Sequence, residues 1–170
     1  EGNLRVIKGQ QILGPPIQGE PSMFSSLSTL AKGSSGDLWF GGANMYIARL
    51  HAGKLTFFGQ EDGLIPDDIW EVCESRNGDV WVGTASGGIG RLRHGKFIRI
   101  TTQEGLSSNS IRAIREDREG NVWLGSNGGG LMRLKARKLA TYSTREGLSH
   151  EVIMSLAEDS KGEIWIGSNC

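Results

Sequence analysis

Side chains suited to catalysis or metal binding are scattered along the sequence. Asp67 and Asp68 form a carboxylate pair that could hold a metal ion or act as general acid and base, but adjacent residues at the start of a strand point to opposite sides. His51, His94 and His150 lack the spacing of metal ligands. No Gly-x-Ser-x-Gly motif or reactive-cysteine context occurs. We therefore predict no catalytic residue, no metal site and no cofactor, and hence a protein that is not an enzyme.

Glycine-rich stretches and charge balance argue against two further classes of ligand. The stretches "GGANM" and "SNGGG" are not followed by the helix that a phosphate-binding loop requires. Lys and Arg number 19, as do Asp and Glu, so no basic stripe predicts a nucleic-acid partner. No apolar run approaches the roughly 20 residues of a membrane helix. Nucleotide and nucleic-acid binding are therefore excluded.

The strongest pattern in the sequence is a repeat of 42 residues. A tryptophan recurs at this interval, and so does the glycine three positions before it: Trp39, Trp81, Trp123, Trp165 and Gly36, Gly78, Gly120, Gly162. Each unit contains four short runs rich in β-branched, aromatic or Leu residues, as in "SIRAIRE", "NVWLGS", "GLMRLK" and "LATYST". Four antiparallel strands in about 42 residues are typical of one β-propeller blade. We predict an all-β propeller with about four blade-equivalents present, as part of a larger propeller.

The repeat also predicts where the blades begin and end. Residues 1–22 are expected to form the third and fourth strands of a partial blade, and residues 149–170 the first two strands of another. Complete blades are expected at 23–64, 65–106 and 107–148. The alternative to a slice of a larger ring is that the first strands complete the last blade, within one chain or between two copies. Open blade edges predict self-association.

The repeated segments resemble a known family. The stretch "DREGNVWLGSNGGGLMRLKARKLATYSTREGLSHEVIMSLAEDSKGEIWIGSN" is similar to the two-component regulator propeller repeat, with its D-x-x-G-x-[LI]-W-[IV]-G-T, G-G-L-x-R-L and Y-T-x-x-D-G-L pattern. The resemblance extends from Ser34 to Asn169, although Asn44-Met45-Tyr46 replaces the expected Gly-Gly. It implies the periplasmic or extracellular sensor domain of a bacterial membrane protein. A histidine kinase or other signalling output domain would follow in the parent chain, and an oligosaccharide is the implied ligand.

Residues that recur in every blade are interpreted as structural. We expect the tryptophans to pack between blades rather than to stack on sugars. The repeated Arg49, Arg91 and Arg133 could form an anion-binding ring, but we expect them to pair with acids that recur at the same interval, such as Glu74, Glu116 and Glu158.

Residues that differ between blades on one rim are the candidate ligand site. In a propeller the first strand of each blade lines the central channel, and the loops before it lie at one rim. Trp70 stands where later blades have Arg112 and Met154. We predict that the following residues converge near the channel mouth: Tyr46, Asp67, Asp68, Trp70, Asn109, Arg112, His150 and Glu151. An aromatic side chain among carboxylates and amides suits sugar rings and hydroxyls, but ordinary loop variation would give the same pattern.

Three functions remain open from the sequence. The first is a sensory module that binds a carbohydrate or another small molecule in a two-component regulator. The second is a propeller lyase similar to the streptogramin lyases, whose metal-assisted catalysis the scattered histidines do not favour. The third is an interaction scaffold without a small ligand.

Overall fold

The computed structural model describes residues 6–8, 11–13, 26–33, 35–43, 46–135 and 138–169. These residues form sixteen strands in antiparallel sheets. The first sheet contains β1 (Val6–Lys8) and β2 (Gln11–Leu13), and the last contains β15 (Ile153–Glu158) and β16 (Ile164–Ser168). Between them lie three four-stranded sheets: β3 (Leu27–Lys32), β4 (Leu38–Gly42), β5 (Ile47–His51), β6 (Lys54–Phe58); β7 (Ile69–Glu74), β8 (Val80–Thr84), β9 (Ile89–Arg93), β10 (Lys96–Ile100); and β11 (Ile111–Glu116), β12 (Val122–Ser126), β13 (Leu131–Lys135), β14 (Lys138–Tyr142).

In each four-stranded sheet the strands pair in chain order. The first strands of successive sheets, β3, β7, β11 and β15, contact one another, so they form the inner edge of the assembly. The prediction of an all-β propeller built from four-stranded antiparallel blades is confirmed, and the described sheets do not close into a ring.

Tight turns connect the strands within a sheet. Between β7 and β8, the Gly78 N–H donates to the Ser75 carbonyl at 2.8 Å, and Gly78 adopts a φ of 82°. This is a type I turn followed by a left-handed glycine, a common three-residue hairpin loop. Successive sheets are joined through short 3-10 turns at Gln60–Asp62, Thr102–Glu104 and Thr144–Glu146.

Apolar side chains pack one sheet against the next. Trp39 and Ile47 of the first four-stranded sheet share a buried cluster with Ile69, Val72 and Val82 of the second. An equivalent cluster joins Trp81 and Ile89 of the second sheet to residues of the third. Trp165, in contrast, is 63 % exposed, because no following sheet covers β16 within the described part of the chain.

The indole N–H groups are satisfied by the turn that precedes the second strand. Trp123 donates to Asp117 Oδ2 at 2.7 Å, and Trp81 donates to the equivalent Ser75 Oγ at 2.9 Å. Gly33 occupies this position in the first repeat and has no side chain to accept the bond. Trp39 therefore donates to Glu74 of the neighbouring sheet at 2.6 Å.

Arg49 and Arg91 do pair with acids, but the prediction that these acids are the repeated glutamates is wrong. Arg49 pairs with Asp37 at 2.6 Å, and Arg91 pairs with Asp79. The strand register explains the difference: each arginine lies directly opposite the tryptophan of the second strand, and the aspartate is two residues before that tryptophan, on the same face. The guanidinium carbons of Arg49 and Arg91 lie 5.7 and 5.0 Å from the indole centroids.

The acids predicted to hold these arginines have other partners. Glu116 accepts from Arg76 and Glu158 from Arg118, and both arginines belong to the turn of the preceding sheet. In the third four-stranded sheet Asn121 replaces the aspartate. The Nε of Arg133 is then buried without a hydrogen-bond partner among the described residues.

Candidate functional site

Every inner strand carries a β-bulge at the same place. The pairing of the first with the second strand shifts register between Leu27 and Thr29, and the shift recurs in the later sheets. One extra residue is therefore inserted in each inner strand: Ser28, Trp70, Arg112 and Met154. Bulges turn side chains away from the regular alternation and are frequent beside binding sites. We call these four residues the bulge row.

The residue before each bulge is anchored against the preceding sheet. Ile69, Ile111 and Ile153 are fully buried. A Cβ built at Gly83 would lie only 2.9 Å from Ile111 Cγ2, and close approaches of the same kind occur at Gly41 and Gly125. Since glycine alone leaves this room, the contact fixes the backbone beside each bulged residue.

Neighbouring members of the bulge row touch. The guanidinium carbon of Arg112 lies 3.9 Å from the centroid of the Trp70 ring, and both side chains are half-buried. The Ser28 hydroxyl donates to the Ile69 carbonyl. The structure thus brings together two of the predicted site residues, Trp70 and Arg112, in a stacked pair.

Asp67 holds the loop between β8 and β9. Its Oδ2 accepts from the Ser86 N–H at 2.6 Å, the Gly87 N–H at 2.7 Å and the Ser86 hydroxyl at 3.0 Å. Its Oδ1 accepts from the Asp68 N–H at 2.8 Å. Burial raises the pKa of Asp67, but these hydrogen bonds outweigh it and hold the pKa below its ordinary value. The side chain of Asp68 is exposed.

Three other predicted site residues also make contacts within the rim. Asn109 Oδ1 accepts from the Thr102 N–H at 2.8 Å, and Glu151 Oε1 accepts from the Thr144 hydroxyl at 3.1 Å. His150 Nδ1 accepts from the Val152 N–H at 3.3 Å. These side chains therefore position the loops before the inner strands.

The same loops are bonded to the preceding sheet. The Gly88 N–H donates to the Asn109 carbonyl at 2.8 Å, and Gly130 donates to Glu151 at 2.9 Å. These bonds fix the loops before β11 and β15 against the sheets that precede them.

Tyr46 lies apart from the bulge row. It is 48 % exposed, and its ring covers Gly59, where a Cβ would lie 2.5 Å from Tyr46 Cε1. Gly59 follows β6, the outermost strand, whereas the bulge row lies on the inner strands. Tyr46 itself directly precedes β5, the third strand, which lies about 10 Å from the inner strand because neighbouring strands are spaced about 4.8 Å apart.

Sequence reasoning missed two members of the bulge row as site residues. Ser28 and Met154 are exposed and lie at the same interval as Trp70 and Arg112. The repeat interval alone could have identified them. The bulge that gives the position its distinct orientation has no signature in a single sequence.

Among the residues that the structure describes, no helix has the length and hydropathy needed to cross a membrane. The described side chains also contain no group of three or more His, Cys, Asp or Glu that could hold a metal ion.

Known structures show similarity to sensor proteins. The extracellular domain of a protein described as a hybrid two component system of B. thetaiotaomicron superposes with a TM-score of 0.82 at 25 % identity, covering 98 % of this chain and 23 % of that one. A second B. thetaiotaomicron extracellular domain, of a one component system, gives a TM-score of 0.66 at 22 % identity, over 85 % of this chain and 22 % of that one. The chain thus spans less than a quarter of either domain.

An enzyme shares the fold as well. Virginiamycin B lyase of Staphylococcus aureus gives a TM-score of 0.71 at 18 % identity, covering 85 % of this chain and 50 % of the lyase. This identity supports a common fold alone. No curated protein matches the chain significantly.

The family comparison agrees with the repeats in the sequence. Residues 63–86, 105–128 and 147–170 each match the two component regulator propeller. The matched segments recur at the repeat interval and contain the inner strands with their bulges. Three segments of this chain are therefore similar to the two component regulator propeller repeat.

Proposed function

We propose that this chain is a ligand-binding part of the propeller sensor in a two-component signal transduction regulator, and that it acts outside the cytoplasmic membrane. The similarity of its repeats to this family and its likeness to extracellular domains of two-component proteins support this role. The role is not enzymatic: the propeller recognises a small molecule, of which a carbohydrate is the best candidate. An output domain elsewhere in the parent protein would carry the signal.

The bulge row carries the proposal. On a scaffold where tryptophans, glycines and turns repeat, the bulge position changes from Ser28 to Trp70, Arg112 and Met154. Packing explains why the repeated residues are the same, but it gives no reason for an indole and a guanidinium stacked at the inner edge. An indole next to a cation offers a sugar both an apolar surface and hydrogen-bond donors.

The predicted site residues would have different roles. Trp70 and Arg112 would contact the ligand, and Asp68, with an exposed carboxylate, would accept hydrogen bonds from sugar hydroxyls. Residues with rim hydrogen bonds would position the loops: Asp67, Asn109, His150 and Glu151. Tyr46 would contact only a ligand long enough to reach the outer strands.

Calorimetric titration with a panel of neutral and acidic di- to tetrasaccharides tests this function. We expect a panel member to bind, and we expect Trp70→Ala to weaken its binding at least about tenfold, because apolar contact contributes roughly 25 cal/mol per Å² removed from water and about 60 Å² of lost contact corresponds to tenfold. Trp165→Ala is the matched control, since Trp165 is an exposed indole outside the bulge row. If Trp70→Ala binds as the unmodified protein does, the site is misplaced. If no panel member binds, an interaction scaffold becomes the better description.

A further inference from the structure

Arg112 is a cation without a protein partner. Its guanidinium lies on the Trp70 ring, and no carboxylate or hydrogen-bond acceptor contacts it among the described residues. Arg49 and Arg91 pair with buried aspartates, and Arg118 bonds to the next sheet. Arg133 also has a buried Nε without an acceptor, but it lies on β13, the third strand of its sheet. Arg112 thus differs from the paired arginines in having no acceptor, and from Arg133 in its place on an inner strand.

The surroundings of Arg112 leave its charge uncompensated. Its neighbours in the bulge row, Trp70 and Met154, carry no charge. The Nε of Arg112 is fully buried without an acceptor, although the residue as a whole is half-buried and open to a ligand. Partial burial without a counter-ion is unfavourable for a cation, and an oxyanion that bound there would relieve the cost.

Stacking prepares the guanidinium for recognition. A planar group that lies on an aromatic ring is held in one orientation and keeps the N–H donors at its edge available. Such a fork binds two oxygens of one oxyanion at once, and these charge-assisted bonds are about twice as strong as neutral ones. The hydroxyls of a neutral sugar cannot provide that pair of charged acceptors.

We propose that Arg112 selects an anionic sugar, whose carboxylate or sulfate group binds the guanidinium while its ring contacts Trp70. This inference rests on the proposed function and narrows it to acidic oligosaccharides. Asp68 is the exposed carboxylate on the preceding loop, and it would receive the hydroxyls of the ligand rather than its anionic group.

The experiment compares ligands that differ only in charge. The probes are the trisaccharide of galacturonic acid, its methyl ester, and a sulfated neutral trisaccharide with its unsulfated parent. We expect the acid or the sulfate to bind at least about tenfold more tightly than its uncharged counterpart, because charge-assisted hydrogen bonds to a guanidinium are about twice as strong as neutral ones. The two arms distinguish a uronate from a sulfate ester.

Variants then assign the selectivity to Arg112. Arg112→Gln is expected to reduce the preference for the charged probe to near one, because it removes the guanidinium that pairs with the oxyanion. Arg112→Lys keeps the charge without the planar fork and should retain part of the preference. Arg145→Gln, at an exposed arginine in the 3-10 turn Thr144–Glu146, is the control and should leave the preference intact. Far-UV circular dichroism establishes that each variant is folded.

The outcomes separate this inference from the proposed function. Equal binding of charged and uncharged probes, or a preference that survives Arg112→Gln, would overturn the anionic specificity. Binding of neutral sugars alone would overturn it too, while leaving the proposed function in place. If no probe and no member of the panel binds, both proposals fall.

Discussion

Asp117 links the turn between β11 and β12 to the tryptophan of β12. Its Oδ1 accepts from the N–H groups of Asn121 at 2.8 Å and Glu119 at 3.0 Å. Its Oδ2 accepts from Asn121 Nδ2 at 2.6 Å and Trp123 Nε1 at 2.7 Å. Only 6 % of the residue is exposed, so water cannot readily replace the carboxylate.

Asp117→Ala is therefore expected to destabilise the protein strongly. Four donors lose their acceptor, and the bonds of both Asn121 donors are buried. An unsatisfied buried polar group costs about 1–3 kcal/mol, so we expect the free energy of unfolding to fall by about 2–5 kcal/mol. Asp117→Ser should recover part of this loss, because Ser75 already accepts the indole N–H of Trp81 at the equivalent position.

Urea unfolding, followed by tryptophan fluorescence and circular dichroism, measures the effect. Asp159→Ala is the matched control: Asp159 accepts from Lys161, Glu163 and Trp165 in the same way, but in an exposed setting where water can take its place. A loss from Asp117→Ala no larger than that from Asp159→Ala would refute the reasoning from burial.

The pH dependence of Asp117 provides a second measurement. Burial raises the pKa of Asp117, but the hydrogen bonds from Asn121 and Trp123 outweigh it and lower the pKa below its ordinary value. The ionised carboxylate therefore stabilises the folded state above the ordinary aspartate pKa, and this contribution is lost as the pH falls through the lowered pKa. The stability difference between the unmodified protein and Asp117→Ala should shrink over that acidic range.

Three other properties can be tested. Gly83→Ala should lower the free energy of unfolding by about 1–3 kcal/mol in the same urea assay, because its Cβ would press on Ile111, and inserting a methyl group in a packed core costs that much. Burial raises the pKa of Glu71 despite a hydrogen bond from Thr29, so its ionised form disfavours folding above the raised pKa. Glu71→Gln should then raise the thermal midpoint at pH 7, and the gain should disappear below the ordinary glutamate pKa. Self-association through the open edge of β16 should appear in sedimentation velocity, and Ile166→Lys should reduce it; a clean monomer at all concentrations would contradict this prediction.

The fold could be predicted because the same residue types recur at the same positions of each repeat. Trp81 and Trp123 mark the second strand, and Gly78 and Gly120 mark the turn before it. Since a four-stranded sheet cannot cover both of its faces alone, stacked sheets followed from the repeat itself. Several residue types recur at the 42-residue interval, and this agreement supports each strand assignment more strongly than a single apolar run would.

The ion pairs could not be predicted from the same repeat. Glu116 and its equivalents end the first strands, whereas Asp37 and Asp79 precede the second strands, so the repeat interval alone did not decide which acid faces Arg91. The strand register determines the partner of Arg91, because Arg91 lies opposite Trp81 and therefore on the face of Asp79. A prediction of side-chain partners needs the pairing register as well as the period.

The candidate site could be predicted only in part, because breaking the repeat does not by itself identify a residue that contacts a ligand. Trp70 was identified because it breaks the repeat, but Asp67 and Glu151 break it too, and their side chains are engaged in the rim. Residues vary between repeats wherever the packing common to all blades does not fix them. These positions include residues that hold one loop against the next. Only the contacts separate a loop-positioning residue from one that is open to a ligand.

The bulge explains why variation and exposure coincide in the bulge row. Ile111, one residue earlier, is held by packing against Gly83 and is fully buried, so its replacement would disturb two sheets. Arg112 has no residue opposite it in β12. A different side chain at this position therefore leaves the backbone hydrogen bonds between β11 and β12 unchanged. A propeller with this bulge in each blade can therefore change the chemistry of its inner edge one residue at a time while keeping the same core. Specificity for a ligand is most easily altered at such positions, which is the physical reason for placing recognition at Trp70 and Arg112.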